Sequence, residues 1–259
     1  MKIPIYHVDA FTDELFRGNS AAVCPLEKWL PDEVMQSIAA ENNLSETAFY
    51  VKRGNGFDIR WFTPKVEIDL AGHPTLATAH VIFNHRGYDG DEITFFSKRG
   101  ELKVNKVNNM IQLDFPAAES KKVSPPEALI RGLGIRPEEV YKSRDYLALF
   151  ETEEDVLSIN PDFRILKMLD SLGIIVTATG NRSDFISRFF APNAGIDEDP
   201  VTGSAHTMLI PFWATRLNQN KLHALQVSTR GGELFCEYHG DRVYIGGQAI
   251  TYLIGEIDV

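Results

Sequence analysis

Ala71-Gly72-His73-Pro74-Thr75 and Asp199-Pro200-Val201-Thr202-Gly203-Ser204-Ala205-His206 are two glycine-led segments that lie about 130 residues apart in this chain. Each follows an extended apolar stretch and opens a helical pattern, over residues 76–83 in the first case and 205–213 in the second. A helix N-terminus offers unpaired backbone N–H groups and the positive end of the helix dipole, so it suits an anion. The doubling therefore predicts two halves that face one small carboxylate, each with side chains able to move protons.

The composition excludes several classes of partner. The 259 residues are 44% hydrophobic and 24% charged, as in ordinary globular proteins, and the formal net charge of −10 argues against a nucleic-acid partner. No apolar stretch is long enough to cross a bilayer and no secretory leader follows Met1, so we expect a cytoplasmic protein without membrane partners. Cys24 and Cys236 lie in strand-like runs without CxxC spacing, which indicates buried free thiols in a reducing compartment.

The two halves of the chain repeat one order of elements. In both, the glycine-led helix follows two strands, and a further strand is predicted near residues 225–229. The polar, proline-flanked segment 116–125 is typical of a linker. Because most strands lack a crossover helix between them, the pattern favours an α+β protein with mostly antiparallel sheets over a doubly wound parallel sheet. We place the halves at residues 1–117 and 118–259, with a cleft between them and with the last strand able to pair with the first half.

Glu46 is the sharpest candidate for acid–base chemistry. It opens a run of strand formers and shares one strand face with Leu44 and Ala48. If that face is internal, Glu46 is a desolvated carboxyl group of the kind that general acid–base catalysis near neutral pH uses. The pattern alone favours the other interpretation, a solvent-exposed residue, because single glutamates are common on strand surfaces.

Three further residues could act at the helix starts. His73 could donate to a substrate carboxylate or shuttle a proton, and it could equally pack in the turn. Asp199 belongs to an acidic run that is typical of a solvated loop or a helix cap, although its carboxylate would lie at the mouth of the second helix. Ser204 could bind an anion, since no G-x-S-x-G elbow marks it as a hydrolase nucleophile. No metal-ligand spacing and no nucleotide-binding glycine motif occurs, so we expect neither a metal nor an organic cofactor.

Five ordered motifs resemble those of the PhzF-like family of phenazine-biosynthesis isomerases. The family implies a diaminopimelate-epimerase-like fold, in which two pseudo-symmetric halves each wrap a mostly antiparallel sheet around a central helix, usually in a homodimer. The motifs are Phe16-Arg17-Gly18-Asn19-Ser20-Ala21-Ala22-Val23, Asn43-Leu44-Ser45-Glu46-Thr47-Ala48-Phe49, Gly72-His73-Pro74-Thr75, Phe190-Ala191-Pro192 and Gly195-Ile196-Asp197-Glu198-Asp199-Pro200-Val201-Thr202-Gly203-Ser204-Ala205.

The resemblance also implies an activity and a set of site residues. In the phenazine enzyme, the glutamate of the S-E-T motif moves a proton between ring carbons of trans-2,3-dihydro-3-hydroxyanthranilate without a metal or organic cofactor. That glutamate matches Glu46 of this chain. The resemblance assigns the other catalytic positions to His73, Asp199 and Ser204. We expect Asn19 and Ser45 to bind the substrate as well, and the backbone N–H groups of the helix starts at Gly72, Gly203 and Ala205 to bind one anion.

Two departures from the family pattern leave the substrate open. Gly18-Asn19-Ser20 replaces the usual G-N-P, and residues 218–223 depart from the Gln-Gly and Gly-Arg pattern of the family. One alternative is an amino-acid epimerase or racemase of the same fold. Those enzymes use two facing cysteines at the places where this chain has His73 and Asp199, so a two-thiol mechanism is not expected. The other alternative is a non-catalytic protein that binds small carboxylates.

Overall fold

Strands far outnumber helices in the computed structural model, which describes all 259 residues. The α-helices are α1 (Asp32–Asn42), α2 (Gly72–His85), α3 (Glu127–Leu133), α4 (Glu153–Ser158), α5 (Phe163–Leu166) and α6 (Gly203–Leu217). The strands are β1 (Lys2–Ala10), β2 (Asn19–Leu26), β3 (Glu46–Arg53), β4 (Gly56–Phe62), β5 (Glu67–Ile68), β6 (Glu92–Ser97), β7 (Gly100–Val107), β8 (Met110–Pro116), β9 (Lys121–Val123), β10 (Glu139–Lys142), β11 (Tyr146–Leu149), β12 (Ile174–Thr179), β13 (Phe185–Ala191), β14 (Ile196–Asp199), β15 (Lys221–Gln226), β16 (Gly232–His239), β17 (Arg242–Gly247) and β18 (Ala249–Asp258).

The first of two compact units comprises Met1–Phe115 together with Ile245–Val259. Its strands pair in the order β18-β1-β2-β3-β4-β6-β7-β8, with the short β5 on β4. The β2–β3 and β4–β6 pairs are parallel, and the others are antiparallel. Helix α1 packs against β3 and β4, where its Met35 and Ile38 join Phe49 and Phe62 in a buried cluster.

Helix α2 is the central helix of the first unit. Ten of its 14 residues are buried, and it packs on β1, β2 and β3. A helix that is covered on most sides has apolar residues all round, which is the pattern that the sequence shows. Its two interior threonines donate to carbonyl oxygens one turn back, Thr75 to Ala71 at 2.5 Å and Thr78 to Pro74 at 2.6 Å, so their hydroxyls are satisfied without water.

The second unit comprises Pro116–Tyr244. Its strands pair in the order β9-β10-β11-β12-β13-β15-β16, with β14 also on β13. The β11–β12 and β13–β15 pairs are parallel and the rest antiparallel. The core between this sheet and helices α3, α4 and α5 is built from aliphatic and aromatic side chains that include Leu129, Val156, Leu166 and Phe190.

Helix α6 has in the second unit the place that α2 has in the first. It packs on β15 and β16, and its buried residues include Met208, Leu209 and Ile210. Trp213 stacks on Phe185 with ring centroids 5.6 Å apart, and its indole N–H donates to the hydroxyl of Thr177 at 3.0 Å. Each unit therefore holds one buried helix against a mostly antiparallel sheet, which confirms the predicted α+β fold.

The structure differs from the sequence-based expectations in two places. The predicted linker 116–125 contains strand β9, whose three residues have no periodicity of their own and pair with β10. The strand expected near residues 225–229 is β15, which starts four residues earlier. The last strand pairs with the first half, as the predicted division allowed: β18 pairs with β1, and residues 245–259 belong to the first unit.

Candidate active site

Glu46 and His73 are in contact inside the first unit. Glu46 is the first residue of β3, and the parallel pairing of β3 with β2 sets it beside Ala21. His73 is the second residue of α2, so the start of the strand and the start of the helix meet at this pair. Nε2 of His73 lies 3.0 Å from Oε2 of Glu46, and the two side chains are only 7% and 10% exposed. The solvent-exposed position that the strand pattern alone favoured for Glu46 is therefore wrong.

The contact between Oε2 of Glu46 and Nε2 of His73 is close but is not a hydrogen bond. It lacks the directional geometry of a hydrogen bond, and neither Oε2 of Glu46 nor Nε2 of His73 has another hydrogen-bond partner in the chain. Most buried polar atoms are paired, and leaving one unpaired costs about 1–3 kcal/mol. Fold stability does not account for such a pair, which marks these two residues as candidates for function.

No side chain caps the start of α2. The N-cap residue Ala71 is extended and has no side chain that could cap the helix, so the backbone N–H groups of the first turn are not used in that way. Gly72 is the first helical residue and is half-buried. Ser45, the residue before Glu46, is half-buried as well. The first unit thus brings Ser45, Glu46, Gly72 and His73 together along two adjoining elements.

Asp199 is held by a hydrogen-bond network in the second unit. It ends the short strand β14 and is 9% exposed, so the solvated acidic loop considered from the sequence is not what forms. The hydroxyl of Thr202 donates to Oδ2 of Asp199. The side chain of Gln226 bridges Asp199 and Thr202. Its amide nitrogen donates to the backbone oxygen of Asp199 at 2.9 Å, and its amide oxygen accepts from the backbone N–H of Thr202 at 2.8 Å.

The first turn of α6 carries the other predicted binding residues. Gly203 and Ala205 are buried, and Ser204 between them is half-buried. The Oγ of Ser204 accepts a hydrogen bond of 3.1 Å from Nη2 of Arg144. Thr202, the N-cap residue, makes no side-chain hydrogen bond to this turn, because its hydroxyl is used by Asp199. The four predicted catalytic residues thus divide two and two between the units, and that they act on one substrate stays a prediction.

His206 lies one turn below the start of α6. Its Nδ1 is 2.8 Å from the carbonyl oxygen of Thr202, so this nitrogen carries the proton, and its Nε2 is buried without a partner. The ring is fully buried, and desolvation lowers the pKa of His206 to about 4. The imidazole is therefore neutral at physiological pH.

The motif that contains Asn19 fixes the loop before β2. Asn19 is fully buried at the start of β2, opposite Ala10 of β1. The hydroxyl of Ser20 donates to Oδ1 of Asp9, and Oδ2 of Asp9 accepts from the backbone N–H of Phe16 at 3.0 Å. Through its side-chain hydroxyl, Ser20 therefore joins the start of β2 to β1.

Both cysteines are buried free thiols. Cys24 is fully buried in β2, where desolvation raises the pKa of its thiol to about 12. Cys236 in β16 is buried as well, and desolvation raises its thiol pKa further. A thiolate is the reactive form of cysteine, so neither residue suits a two-thiol epimerase.

No group of three or more His, Cys, Asp or Glu side chains is placed to hold a metal ion. No helix is both long and apolar enough to span a bilayer.

Sequence reasoning missed several residues of this region. Thr202 and Gln226 fix Asp199, but a lone glutamine 24 residues after Thr202 carries no signal of that role. Arg144 and Asp145 precede the apolar run of β11, which is only four residues long and was not recognised as a strand. Had that run been predicted as a strand, the charged pair at its start would have stood out as polar residues at a strand end.

Comparison with known proteins gives relatives over the whole chain. The family described as phenazine biosynthesis-like protein, PhzC-PhzF, matches residues 8–255. Two uncharacterized isomerases of Pseudomonas aeruginosa are 50% identical over 258 residues and 48% identical over 257 residues, each comparison covering 99% of both chains. The crystal structure of a phenazine biosynthesis protein of the PhzF family from Enterococcus faecalis is 50% identical and superimposes with a TM-score of 0.98, covering 100% of both chains.

Proposed function

Because the chain belongs to the PhzC-PhzF family of phenazine biosynthesis-like proteins and is an isomerase like its curated relatives, we propose that it moves a proton between two carbons of a small cyclic carboxylate. The proposed substrate resembles trans-2,3-dihydro-3-hydroxyanthranilate, and the reaction uses no metal or organic cofactor. The observation that carries the proposal is the buried contact of 3.0 Å between Glu46 and His73.

Glu46 is the proposed proton carrier. Its carboxylate takes a proton from one ring carbon, and the electron pair of the broken C–H bond moves into the ring as a double bond shifts. The resulting carboxylic acid then returns the proton to a second carbon of the same ring, so the product is an isomer and no electron is gained or lost. The buried contact of Oε2 with Nε2 of His73, which lacks the geometry of a hydrogen bond, supports this role, because catalytic groups are often poorly aligned until the substrate is bound.

His73 and Asp199 are proposed to position the substrate and stabilise developing charge. His73 is close enough to Glu46 to orient the carboxyl group, and Asp199 is held by Thr202 and Gln226 in one orientation. Rigid support of this kind is what orientation of a substrate requires. Ser204 is proposed to bind the acid group of the substrate, together with backbone N–H groups of the two helix starts at Gly72, Gly203 and Ala205. Asn19 and Ser45 complete the proposed substrate-binding set.

Deuterium incorporation from D₂O tests the proposal against its alternatives. The wild-type protein is incubated with a panel of cyclic and amino-acid carboxylates, and carbon-bound deuterium is measured by NMR and mass spectrometry. We expect incorporation into a ring carbon of a cyclic carboxylate, unaffected by EDTA or by iodoacetamide. Loss of exchange with iodoacetamide would favour a thiol-based epimerase, loss with EDTA would reveal a metal, and no exchange across the whole panel would favour a carboxylate-binding protein.

A further inference from the structure

We propose that Arg144, held by the buried carboxylate of Asp145 against Ser204, recognises the negative charge of the substrate's acid group. This inference rests on the proposed function, because it takes Ser204 as a residue that binds the substrate. It adds a positively charged specificity residue to a site whose predicted side chains include two carboxylates and no arginine or lysine. It also predicts that the substrate is a carboxylic acid rather than the corresponding neutral amide or ester.

The guanidinium group of Arg144 is fixed but not saturated. Its Nε and Nη2 donate to Oδ2 of Asp145 at 3.1 Å and 2.7 Å, and Nη2 also donates to Oγ of Ser204 at 3.1 Å. A guanidinium group has five N–H donors, of which these contacts use three. The two donors on Nη1 make no hydrogen bond in the chain, and the side chain is 54% exposed. Arg144 is thus anchored on one side and available to a ligand on the other.

Asp145 supplies the anchor. Its side chain is 1% exposed, and its second carboxylate oxygen accepts from the backbone N–H of Gly173 at 3.0 Å. The carbonyl oxygen of Gly173 also accepts from the backbone N–H of Tyr146 at 3.1 Å. Two hydrogen bonds thus join residues 145–146 to Gly173 where the parallel strands β11 and β12 begin. A guanidinium group held in this way loses little further freedom when it binds a carboxylate, which is the advantage of a pre-organised site.

Ser204 completes a pair of donors. Because its Oγ accepts from Arg144, the proton of its hydroxyl remains available to donate elsewhere. The hydroxyl proton of Ser204 and the Nη1 donors of Arg144 therefore come from two side chains in contact, and together they suit the two oxygens of one carboxylate. A carboxamide offers a single acceptor oxygen and no charge, so the arrangement selects acids over amides.

A binding measurement separates this role from a purely structural one. Anthranilate and anthranilamide are titrated by calorimetry into the wild-type protein, Arg144→Gln, Arg144→Lys and the control Arg53→Gln. Arg53 is a matched control, since its side chain is 58% exposed and pairs with a single carboxylate, that of Asp58, at 2.9 Å. We expect Arg144→Gln to weaken anthranilate binding by about 10- to 100-fold, the range of a hydrogen bond to a charged group, and to leave anthranilamide binding unchanged. Arg144→Lys should restore part of the loss, and Arg53→Gln should have no effect.

Each other outcome contradicts the inference. Equal losses for the acid and the amide would mean that Arg144 only supports the fold around Asp145. Unchanged binding of both, or a wild-type protein that does not prefer the acid, would show that the guanidinium group does not face the ligand. Because the titration involves no turnover, it stands apart from the deuterium experiment. A protein that binds acids through Arg144 but exchanges no carbon-bound proton would refute the proposed reaction while still showing that Arg144 recognises an acid group.

Discussion

The buried imidazole of His206 should make the stability of the protein fall as the solution is acidified. Desolvation holds the pKa of His206 at about 4 in the folded chain, whereas an unfolded histidine has a pKa of about 6.5. Between these values the unfolded state binds a proton that the folded state does not, so the free energy of unfolding decreases as the pH falls from about 6.5 to about 4. Above this window the contribution is constant, and below it both states are protonated and the loss is complete.

The size of the effect follows from the same two pKa values. One pKa unit corresponds to about 1.4 kcal/mol, so the complete loss is about 3 kcal/mol, of which about 2 kcal/mol is reached between pH 7 and pH 5. His80 adds a parallel contribution, because desolvation lowers its pKa to about 4 as well. The total acid dependence of the wild-type protein therefore exceeds that of His206 alone, and the share of His206 must be measured by difference.

His206→Asn isolates this share. The amide nitrogen of asparagine can take the place of Nδ1 and donate to the carbonyl oxygen of Thr202, while the titrating ring is removed. The variant should be less stable than wild type at pH 7 because a cavity replaces part of the ring. Urea denaturation followed by fluorescence at pH 7, 6 and 5 should show the difference between the two proteins shrinking by about 2 kcal/mol towards pH 5. A difference that stays constant over this range would refute a buried neutral imidazole at position 206.

Two further predictions concern the thiols and the loop before β2. Because burial raises the thiol pKa of both Cys24 and Cys236, iodoacetamide at pH 8 should label neither in the native protein and both in urea; rapid labelling of the native protein would contradict the structure. Gly18→Ala should destabilise the protein by several kcal/mol, because Gly18 has φ +64° and an added Cβ would lie 2.2 Å from the carbonyl oxygen of Ala10. The matched control is Gly87→Ala, with φ +63° and open space around the Cβ, which should cost only about 1 kcal/mol, and equal losses of thermal stability would exclude a steric role for Gly18.

The central helices were predictable because their signals are local. Consecutive residues show both signals, which are a glycine-led start after an extended stretch and an apolar composition on all sides. Helices α2 and α6 begin at Gly72 and Gly203 as expected. Only the resemblance to a family assigned Glu46 and His73 to one site, and their direct contact was not predicted. The strand pattern shows which residues share a face with Glu46, but it does not show that the face is covered by α2.

The features that sequence reasoning missed depend on distant partners. Strand β9 consists of two lysines and a valine, and it forms because it pairs with β10, whose residues lie 17 to 21 positions further along the chain. Gln226 reaches Asp199 because β15 lies beside β13, a parallel pairing that no local pattern reveals. Arg144 meets Ser204 across 60 residues of sequence. Side chains that support or extend a site in this way become visible only when the sheet order is known.

The most direct test of the central claim is the turnover of Glu46→Gln. The substitution keeps the shape of the side chain but cannot carry a proton, so isomerisation of the substrate found by deuterium exchange should fall by about 10²- to 10⁴-fold while ligand affinity and circular dichroism stay unchanged. The control Glu101→Gln alters an exposed glutamate on β7 of the same unit and should retain the wild-type rate. His73→Asn and Asp199→Asn, which remove positioning groups, should lose less. If Glu46→Gln turns over at the wild-type rate while the His73 or Asp199 variant is inactive, the proton carrier is not Glu46 and the proposed mechanism is wrong.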